Sequence, residues 1–139
     1  MISGKISDEL GYLIKQVQQE LRKKMDKSLS SMEITTPQYA VLAELQENPG
    51  LSNADLARKS FVTPQTMNLI VKNLESRNIV TRSSSKTHGK KLDTSITTIG
   101  ESILKKANNI VLSIEDEIFG HLSKKEAEML SNLLKKIIN

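Results

Sequence analysis

The chain has 139 residues, enough for one domain with a hydrophobic core and too few for two ordinary domains. It contains no cysteine, which excludes disulfides, thiolate catalysis and cysteine-ligated zinc. The opening stretch MISGKISDELGY meets acidic residues early and has no apolar signal core, and no apolar run approaches the roughly 18 residues of a membrane span. We therefore expect a cytoplasmic protein that makes no membrane contact.

The net charge of +4 is concentrated in the middle of the chain. The segment from Arg58 to Lys91 carries eight bases and a single acid, Glu75, whereas both flanks are mildly acidic. A basic centre of this kind favours a polyanionic partner, nucleic acid above all. The alternative interpretation is a basic surface that is simply solvated.

The first third of the chain predicts two helices. Residues from about 6 to 31 place apolar side chains at every third or fourth position, which is typical of one face of a long helix. A first TPQ tripeptide follows, in which we expect Thr36 to cap the next helix and Pro37 to occupy its first turn. This helix should end before the NPG stretch that begins at Asn48.

Two further helix starts come close together. Ser52 and Asp55 form a variant capping box that opens a short helix ending near Ser60. The second TPQ then begins at Thr63, which should cap another helix. The residues beyond the two TPQ copies do not match, so we reject an internal repeat. The apolar face of this last helix is formed by Met67, Ile70, Val71 and Leu74.

The opposite face of the same helix is polar. It offers amides, a hydroxyl and a base, which are groups that read base edges or phosphates in the major groove: Gln65, Thr66, Asn68, Lys72 and Asn73. Asn78 should end the helix in the left-handed conformation. A short helix, a tight turn and a second helix of this type predict a helix-turn-helix.

The next segment predicts a β-hairpin. Ile79–Thr81 looks like one strand, and Leu92, Thr94 and Ile96 alternate as a second strand would. The connecting stretch RSSSKTHGKK is polar, basic and contains glycine. After a helix-turn-helix, such a hairpin is typical of a wing that reaches phosphates or the minor groove. An ordinary exposed hairpin is the alternative.

The tail predicts two more helices. A broad apolar stripe runs through residues 97–120, and Ser123 with Glu126 forms a capping box that opens a last amphipathic helix. A small DNA-binding lobe cannot cover these helices and the N-terminal helix on both flanks. Exposed apolar area on this scale usually marks an obligate dimer interface.

Taken in order, TPQYAVLAEL, LSNADLARKSFVTPQTMNLIVKNLESRNIVTR and the closing ITTIG resemble the MarR family of bacterial winged-helix transcriptional regulators. The resemblance implies a mainly α fold with a small β-hairpin wing. A winged helix-turn-helix DNA-binding lobe at 36–97 would be flanked by dimerisation helices at 1–32 and 98–139. It also implies a homodimer, a pseudo-palindromic operator and a family-type small-molecule effector pocket.

The site residues follow from the polar helix face, the basic wing and the resemblance. We expect base readout by Gln65, Thr66 and Asn68. We expect phosphate and wing contacts from Thr63, Lys72, Arg82, Lys86, His88, Lys90 and Lys91. Tyr12 and Tyr39 are the candidates for lining an effector pocket, although either could be a core residue. The sequence departs from the family at two places. The family often has an Asp-x-Arg in the wing, where this chain has His88 and Lys90. The family also often has a basic residue at the position of Leu69.

An enzyme is the weaker interpretation. His121 lies one helical turn after Glu117 and could pair with it, but a lone pair of this kind is more often a surface contact than a metal or catalytic site. No phosphate-binding glycine loop or nucleophile motif is present in the sequence. We therefore expect a sequence-specific DNA-binding regulator that acts as a repressor, and we expect it to use no cofactor. The alternative is a helical protein-interaction module whose basic hairpin binds an acidic partner.

Overall fold

The computed structural model describes residues 4–84 and 92–139. Six α-helices and a three-stranded antiparallel sheet make up the described parts. The helices are α1 (Leu10–Leu29), α2 (Thr36–Glu47), α3 (Asn53–Ser60), α4 (Pro64–Ser76), α5 (Thr98–Phe119) and α6 (Lys124–Ile138). The strands are β1 (Leu51–Ser52), β2 (Val80–Ser84) and β3 (Leu92–Ile96). The prediction of a mainly α fold with a small β-hairpin is confirmed.

Two compact units divide the chain. The central unit is Asp26–Asn109, and the terminal unit consists of the residues up to Met25 together with Ile110–Asn139. The boundaries between the units fall inside α1 and α5.

The central unit is built around one hydrophobic core. Helix α4 contributes the face that its periodicity predicts, since Met67, Val71 and Leu74 are fully buried. Leu56 and Ala57 from α3, Val80 from β2 and further residues from α2 and α5 complete the core. Because one side of α4 is committed to this core, its other side is left to solvent.

The sheet has the strand order β1-β3-β2. β3 pairs with β2 over five residues, which places Arg82 opposite Thr94, and it pairs with the two-residue strand β1 on its other edge. The sequence predicts the hairpin but not β1, because two residues are too few to show an alternating pattern. Gly50 leads into β1 with a φ of 83°, a left-handed conformation that glycine adopts at little cost.

Helix caps fix where α2 and α4 begin, and one prediction was wrong. The cap of α2 is Thr35, whose hydroxyl accepts from Gln38 N–H while the Gln38 side chain accepts from Thr35 N–H at 3.0 Å. Thr36 is instead the first helical residue, and its hydroxyl donates to Asp26. Two adjacent threonines offer the same chemistry, and only Gln38 at the third helical position selects Thr35.

The remaining capping predictions are confirmed. Thr63 caps α4, with Pro64 as the first helical residue. Ser52 and Ser123 form capping boxes with Asp55 and Glu126. The two TPQ copies therefore differ in their position relative to the helix start, since the threonine of TPQ is the cap in the second copy only. Asn78 ends the α4 region with a φ of 59°, as its side chain allows.

The terminal unit leaves much of its apolar surface uncovered. Helix α6 has no buried residue, and its apolar stripe lies open to solvent. The N-terminal part of α1 is similar. The exposed apolar side chains of the two helices are Leu10, Tyr12, Leu13, Ile14, Val17, Met129, Leu130, Leu133, Leu134, Ile137 and Ile138. None of the helices in the described ranges combines the length and apolarity that a membrane crossing requires.

Candidate nucleic-acid interface

The site is the helix-turn-helix formed by α3 and α4 together with the strands that follow. Helix α3 ends at Ser60, and the next residue, Phe61, has a φ of 54° and turns the chain toward Thr63. The carboxamide of Asn53, at the start of α3, donates to the carbonyl oxygen of Pro64 at 3.1 Å. This bond joins the first turns of the two helices and fixes α4 relative to α3.

The outer face of α4 carries the side chains that the sequence predicts there. Gln65, Thr66 and Lys72 are exposed, and Asn68 is half-buried. Leu69 is also exposed and adds an apolar group to an otherwise polar face. The described structure thus brings three predicted base readers and one predicted phosphate contact onto one helix.

Thr63 is already occupied by its role as a cap. Its hydroxyl oxygen accepts from Thr66 N–H at 3.1 Å, and the same hydroxyl donates to Thr66 Oγ1 at 3.0 Å. A hydroxyl has a single proton to donate. If Thr63 donated a hydrogen bond to a phosphate, it would have to give up its bond to Thr66 Oγ1. Thr66 accepts in that bond, so its own hydroxyl proton remains available for a contact with DNA.

Arg82 lies in a different environment from the one its sequence position suggests. Its side chain is only 11% exposed and extends from β2 to α4. The guanidinium donates from Nη2 to Glu75 Oε1 at 3.1 Å and from Nη1 to Asn68 Oδ1 at 3.4 Å, while the buried Nε has no hydrogen-bond partner among the described residues. Arg82 therefore bridges two residues of α4 instead of standing free at the surface.

Sequence reasoning missed the part that Glu75 plays. Glu75 is the single acid in the basic segment from Arg58 to Lys91, and that isolation is the signal that could have identified it. A second missed link is Gln38 in α2, whose Nε2 donates to Asn73 Oδ1 at 2.8 Å. Arg77 also donates to Asn73 Oδ1, at 3.4 Å. The side chain of Asn73 is thus engaged within the protein.

The predicted wing residues Lys86, His88, Lys90 and Lys91 lie outside the described residues. Beside the strands that lead to them, a groove of about 310 Å³ lies at the junction of α3, α4 and the sheet. Its lining consists of Ser52, Asn53, Ala54, Pro64, Arg82 and Leu92.

The two predicted effector-pocket residues belong to different units. Tyr12 is in the terminal unit and is partly exposed. Tyr39 is in the central unit, packs against the core, and donates its hydroxyl to Asn108 Oδ1 at 2.7 Å. Their assignment to a pocket stays a prediction.

Glu117, one member of the candidate pair with His121, is engaged by a lysine. Glu117 Oε1 accepts from Lys24 Nζ at 2.8 Å, and this ion pair within the terminal unit lowers the pKa of Glu117 and raises the pKa of Lys24. Across the part of the chain that the structure describes, no group of three or more histidine, aspartate or glutamate side chains is placed to hold a metal ion.

A helix-turn-helix with a polar outer face, followed directly by a hairpin, defines a winged-helix transcriptional regulator. The MarR family model matches residues 34–92. The HTH-type transcriptional repressor Rv2887 of Mycobacterium tuberculosis is 33% identical over 128 residues, which cover 92% of each chain. The chain belongs to the MarR family. Its curated relatives are named as regulators of transcription, so the expectation that it is not an enzyme is confirmed.

Solved structures agree with this assignment. The Mycobacterium tuberculosis MarR-family protein Rv2887 in complex with DNA superimposes with a TM-score of 0.78 at 29% identity, covering 93% of this chain and 97% of that one. The complex of the same protein with p-aminosalicylic acid gives a TM-score of 0.80 at 31% identity, covering 94% and 99% of the two chains.

Proposed function

We propose that this protein is a dimeric repressor that binds a pseudo-palindromic operator and is released from it by a small aromatic acid. The observation that carries the proposal is the division of α4 into two faces. One face is fixed in the core by Met67, Val71 and Leu74, and the other presents Gln65, Thr66 and Lys72 to solvent. Amide and hydroxyl groups on an exposed helix behind a tight turn suit readout of base edges in the major groove.

The repressor assignment draws on the relatives. Rv2887 is named a transcriptional repressor, and its structure has been determined with DNA. Its similarity extends over nearly the whole of this chain, which supports the same action here. Lys72 would hold phosphate, and the wing bases Lys86, Lys90 and Lys91 would extend the phosphate contacts along the duplex.

The dimer assignment draws on the terminal unit. Leucine and isoleucine side chains along α1 and α6 are exposed on a scale that a stable monomer seldom tolerates. A second copy of the chain is the partner with a matching surface, because a two-fold interface pairs one apolar patch with itself. Two recognition helices would then lie about 34 Å apart, one turn of the duplex.

The effector assignment draws on the ligands of Rv2887, whose structures include complexes with p-aminosalicylic acid and salicylic acid. Tyr12 and Tyr39 are the residues proposed to line such a pocket. An aromatic acid that binds the DNA-free form more tightly than the DNA-bound form would weaken operator binding by the same factor.

The experiment that tests the proposal is a selection of binding sites from random-sequence DNA, followed by fluorescence anisotropy at physiological salt. A selected duplex should bind at least about 10³-fold more tightly than unrelated DNA of equal length, with two chains on each site. Salicylic acid should then lower its affinity. Equal, weak and salt-sensitive binding to every sequence would instead support the interaction module with an acidic partner.

A further inference from the structure

The surroundings of Arg82 differ from those expected for an arginine that binds a phosphate. It is the guanidinium that spans from Glu75, in the last turn of α4, to Asn68, two turns earlier on the same helix. Arginine at the foot of a wing would be expected to reach outward if its task were to hold the DNA backbone. Here its side chain is nearly buried, and its charge is already met by a carboxylate at 3.1 Å.

The contact with Arg82 determines which end of the Asn68 amide faces it. A guanidinium carries only hydrogen-bond donors, so the Asn68 atom at 3.4 Å from Nη1 must be the carbonyl oxygen. The NH₂ group is the other arm of the same amide. Asn68 is half-buried on the outer face of α4, between the exposed residues Thr66 and Leu69. The amide therefore presents its NH₂ group, and not its oxygen, away from Arg82.

An asparagine held in this way cannot use its usual mode of base readout with full strength. Bidentate recognition of adenine needs the amide oxygen to accept from N6 while the NH₂ group donates to N7. With its oxygen turned toward Arg82, Asn68 presents a donor. Adenine also offers N7 as an acceptor, but its N6 amino group is a donor and would meet the NH₂ group of Asn68 beside it. The keto bases offer an acceptor there instead, which is O6 next to N7 in guanine and O4 in thymine.

We propose that Arg82 is a positioning residue, held by Glu75, that turns Asn68 so that it selects a keto base, guanine or thymine, over adenine at one position of each operator half-site. This inference rests on the proposed function, because it presupposes that α4 reads a specific DNA sequence. It replaces the assignment of Arg82 to a phosphate, and it adds Glu75 to the residues that determine specificity without touching DNA.

The test compares binding-site selections with the wild-type protein, Asn68→Ala and Asn68→Asp. The wild type should select guanine or thymine at one position per half-site, and Asn68→Ala should reduce that preference by roughly tenfold. Asn68→Asp has only acceptors, so it should transfer the preference to cytosine or adenine, whose amino groups donate. If guanine is selected, 7-deazaguanine at that position should weaken binding; if thymine is selected, an analogue without O4 should do so.

The positioning role has its own variants. Lysine at residue 82 can reach only one of the two partners, so Arg82→Lys should reduce the preference at the Asn68 position at least about threefold. Affinity for unrelated DNA should not change. Glu75→Ala removes the carboxylate that holds Arg82 and should reduce the same preference. Thermal unfolding of each variant confirms that it is folded.

Each contrary result is informative. Selection of adenine at the position that Asn68→Ala affects would overturn the proposal, as would a preference that Arg82→Lys leaves unchanged. A uniform loss on all sequences from Arg82→Lys would restore the phosphate assignment. If the wild type selects no sequence while remaining folded, the proposed function itself has failed, and the readout by Asn68 fails with it.

Discussion

The Nε2 of Gln38 donates a hydrogen bond of 2.8 Å to Oδ1 of Asn73, which joins α2 to α4 across 35 positions of sequence. The other end of the Gln38 amide accepts from Thr35 N–H and so completes the cap of α2. One side chain, 8% exposed, therefore connects the start of one helix to the polar face of another.

Gln38→Leu should lower the free energy of unfolding by about 1–3 kcal/mol, because it leaves the Thr35 N–H without its partner and removes the shorter of the two hydrogen bonds to the Asn73 oxygen. Gln46→Leu is the matched control, since Gln46 is exposed near the end of the same helix and its loss should change stability by less than about 0.5 kcal/mol. Urea unfolding at one fixed protein concentration measures both. Equal effects of the two substitutions would show that the Gln38 contacts contribute no stability.

Gly100→Ala should destabilise the protein by about 1–3 kcal/mol through overpacking. A Cβ at this position would overlap the carbonyl oxygen of Ile79, which is already fixed by the backbone N–H and the hydroxyl of Thr97. Gly11→Ala is the control: nothing described lies within 4 Å of its added Cβ, and alanine should favour α1 by up to about 1 kcal/mol. Comparable losses at both glycines in thermal unfolding would contradict the explanation.

Lys72→Ala and Gln65→Ala should separate two kinds of DNA contact on the same face of α4. Loss of a phosphate contact at Lys72 should weaken every duplex alike and reduce the slope of log affinity against log salt by about one unit. Loss of a base contact at Gln65 should cost about 1–3 kcal/mol on the selected site alone. Anisotropy titrations across a salt series measure both, and the roles would be refuted if the two variants behaved identically.

Leu133→Lys should dissociate the proposed dimer. Leu133 is 51% exposed on α6, so lysine is tolerable in a single chain but would place a charge inside an interface. Sedimentation equilibrium should show a halved mass, and tight operator binding should be lost with it. Asn132→Lys adds the same charge at the neighbouring exposed position and should remain dimeric. An undisturbed mass for Leu133→Lys would place the interface elsewhere.

The Lys24–Glu117 ion pair predicts a pH-dependent contribution to stability. Hydrogen bonding and charge attraction from Lys24 lower the folded-state pKa of Glu117 below its ordinary value of 4.5. The stabilisation is therefore present above that ordinary value and is lost as the pH falls through the lower folded-state pKa. Glu117→Gln should reduce the unfolding midpoint in urea at pH 7 and have no effect once the wild-type carboxyl is protonated. If Glu117→Gln reduced the unfolding midpoint equally at pH 7 and at the low pH, the ion pair with Lys24 would not lower the pKa of Glu117.

The sequence predicted most of the local structure, because its signals lie within a few residues of each other. The caps at Ser52, Thr63 and Ser123 and the buried face of α4 follow from spacing alone. What it did not predict depends on distant contacts. β1 exists because two residues meet an edge of β3, and Arg82 meets Glu75 only after β2 has folded against α4.

The candidate site also has features that the sequence predicted and features that it did not. The exposed positions of Gln65, Thr66 and Lys72 follow from helical periodicity, which fixes the side of α4 that the core leaves free. The engagement of Asn73 by Gln38 could not be foreseen, because no local pattern joins residues that far apart. Counting polar groups on the outer face of α4 therefore overestimates how many are available to DNA.

The ion pairs of the central unit also bear on how fast the protein finds DNA. Lys59 lies 4.0 Å from Glu44, Arg58 pairs with Asp55, and Arg82 pairs with Glu75. Three bases of the segment from Arg58 to Lys91 are therefore paired with acids in the folded protein. Two of these acids, Glu44 and Asp55, lie outside that segment in the sequence. Electrostatic steering depends on the summed field and not on the number of bases. The rate of encounter with a duplex should consequently respond to ionic strength less steeply than the eight bases of that segment imply.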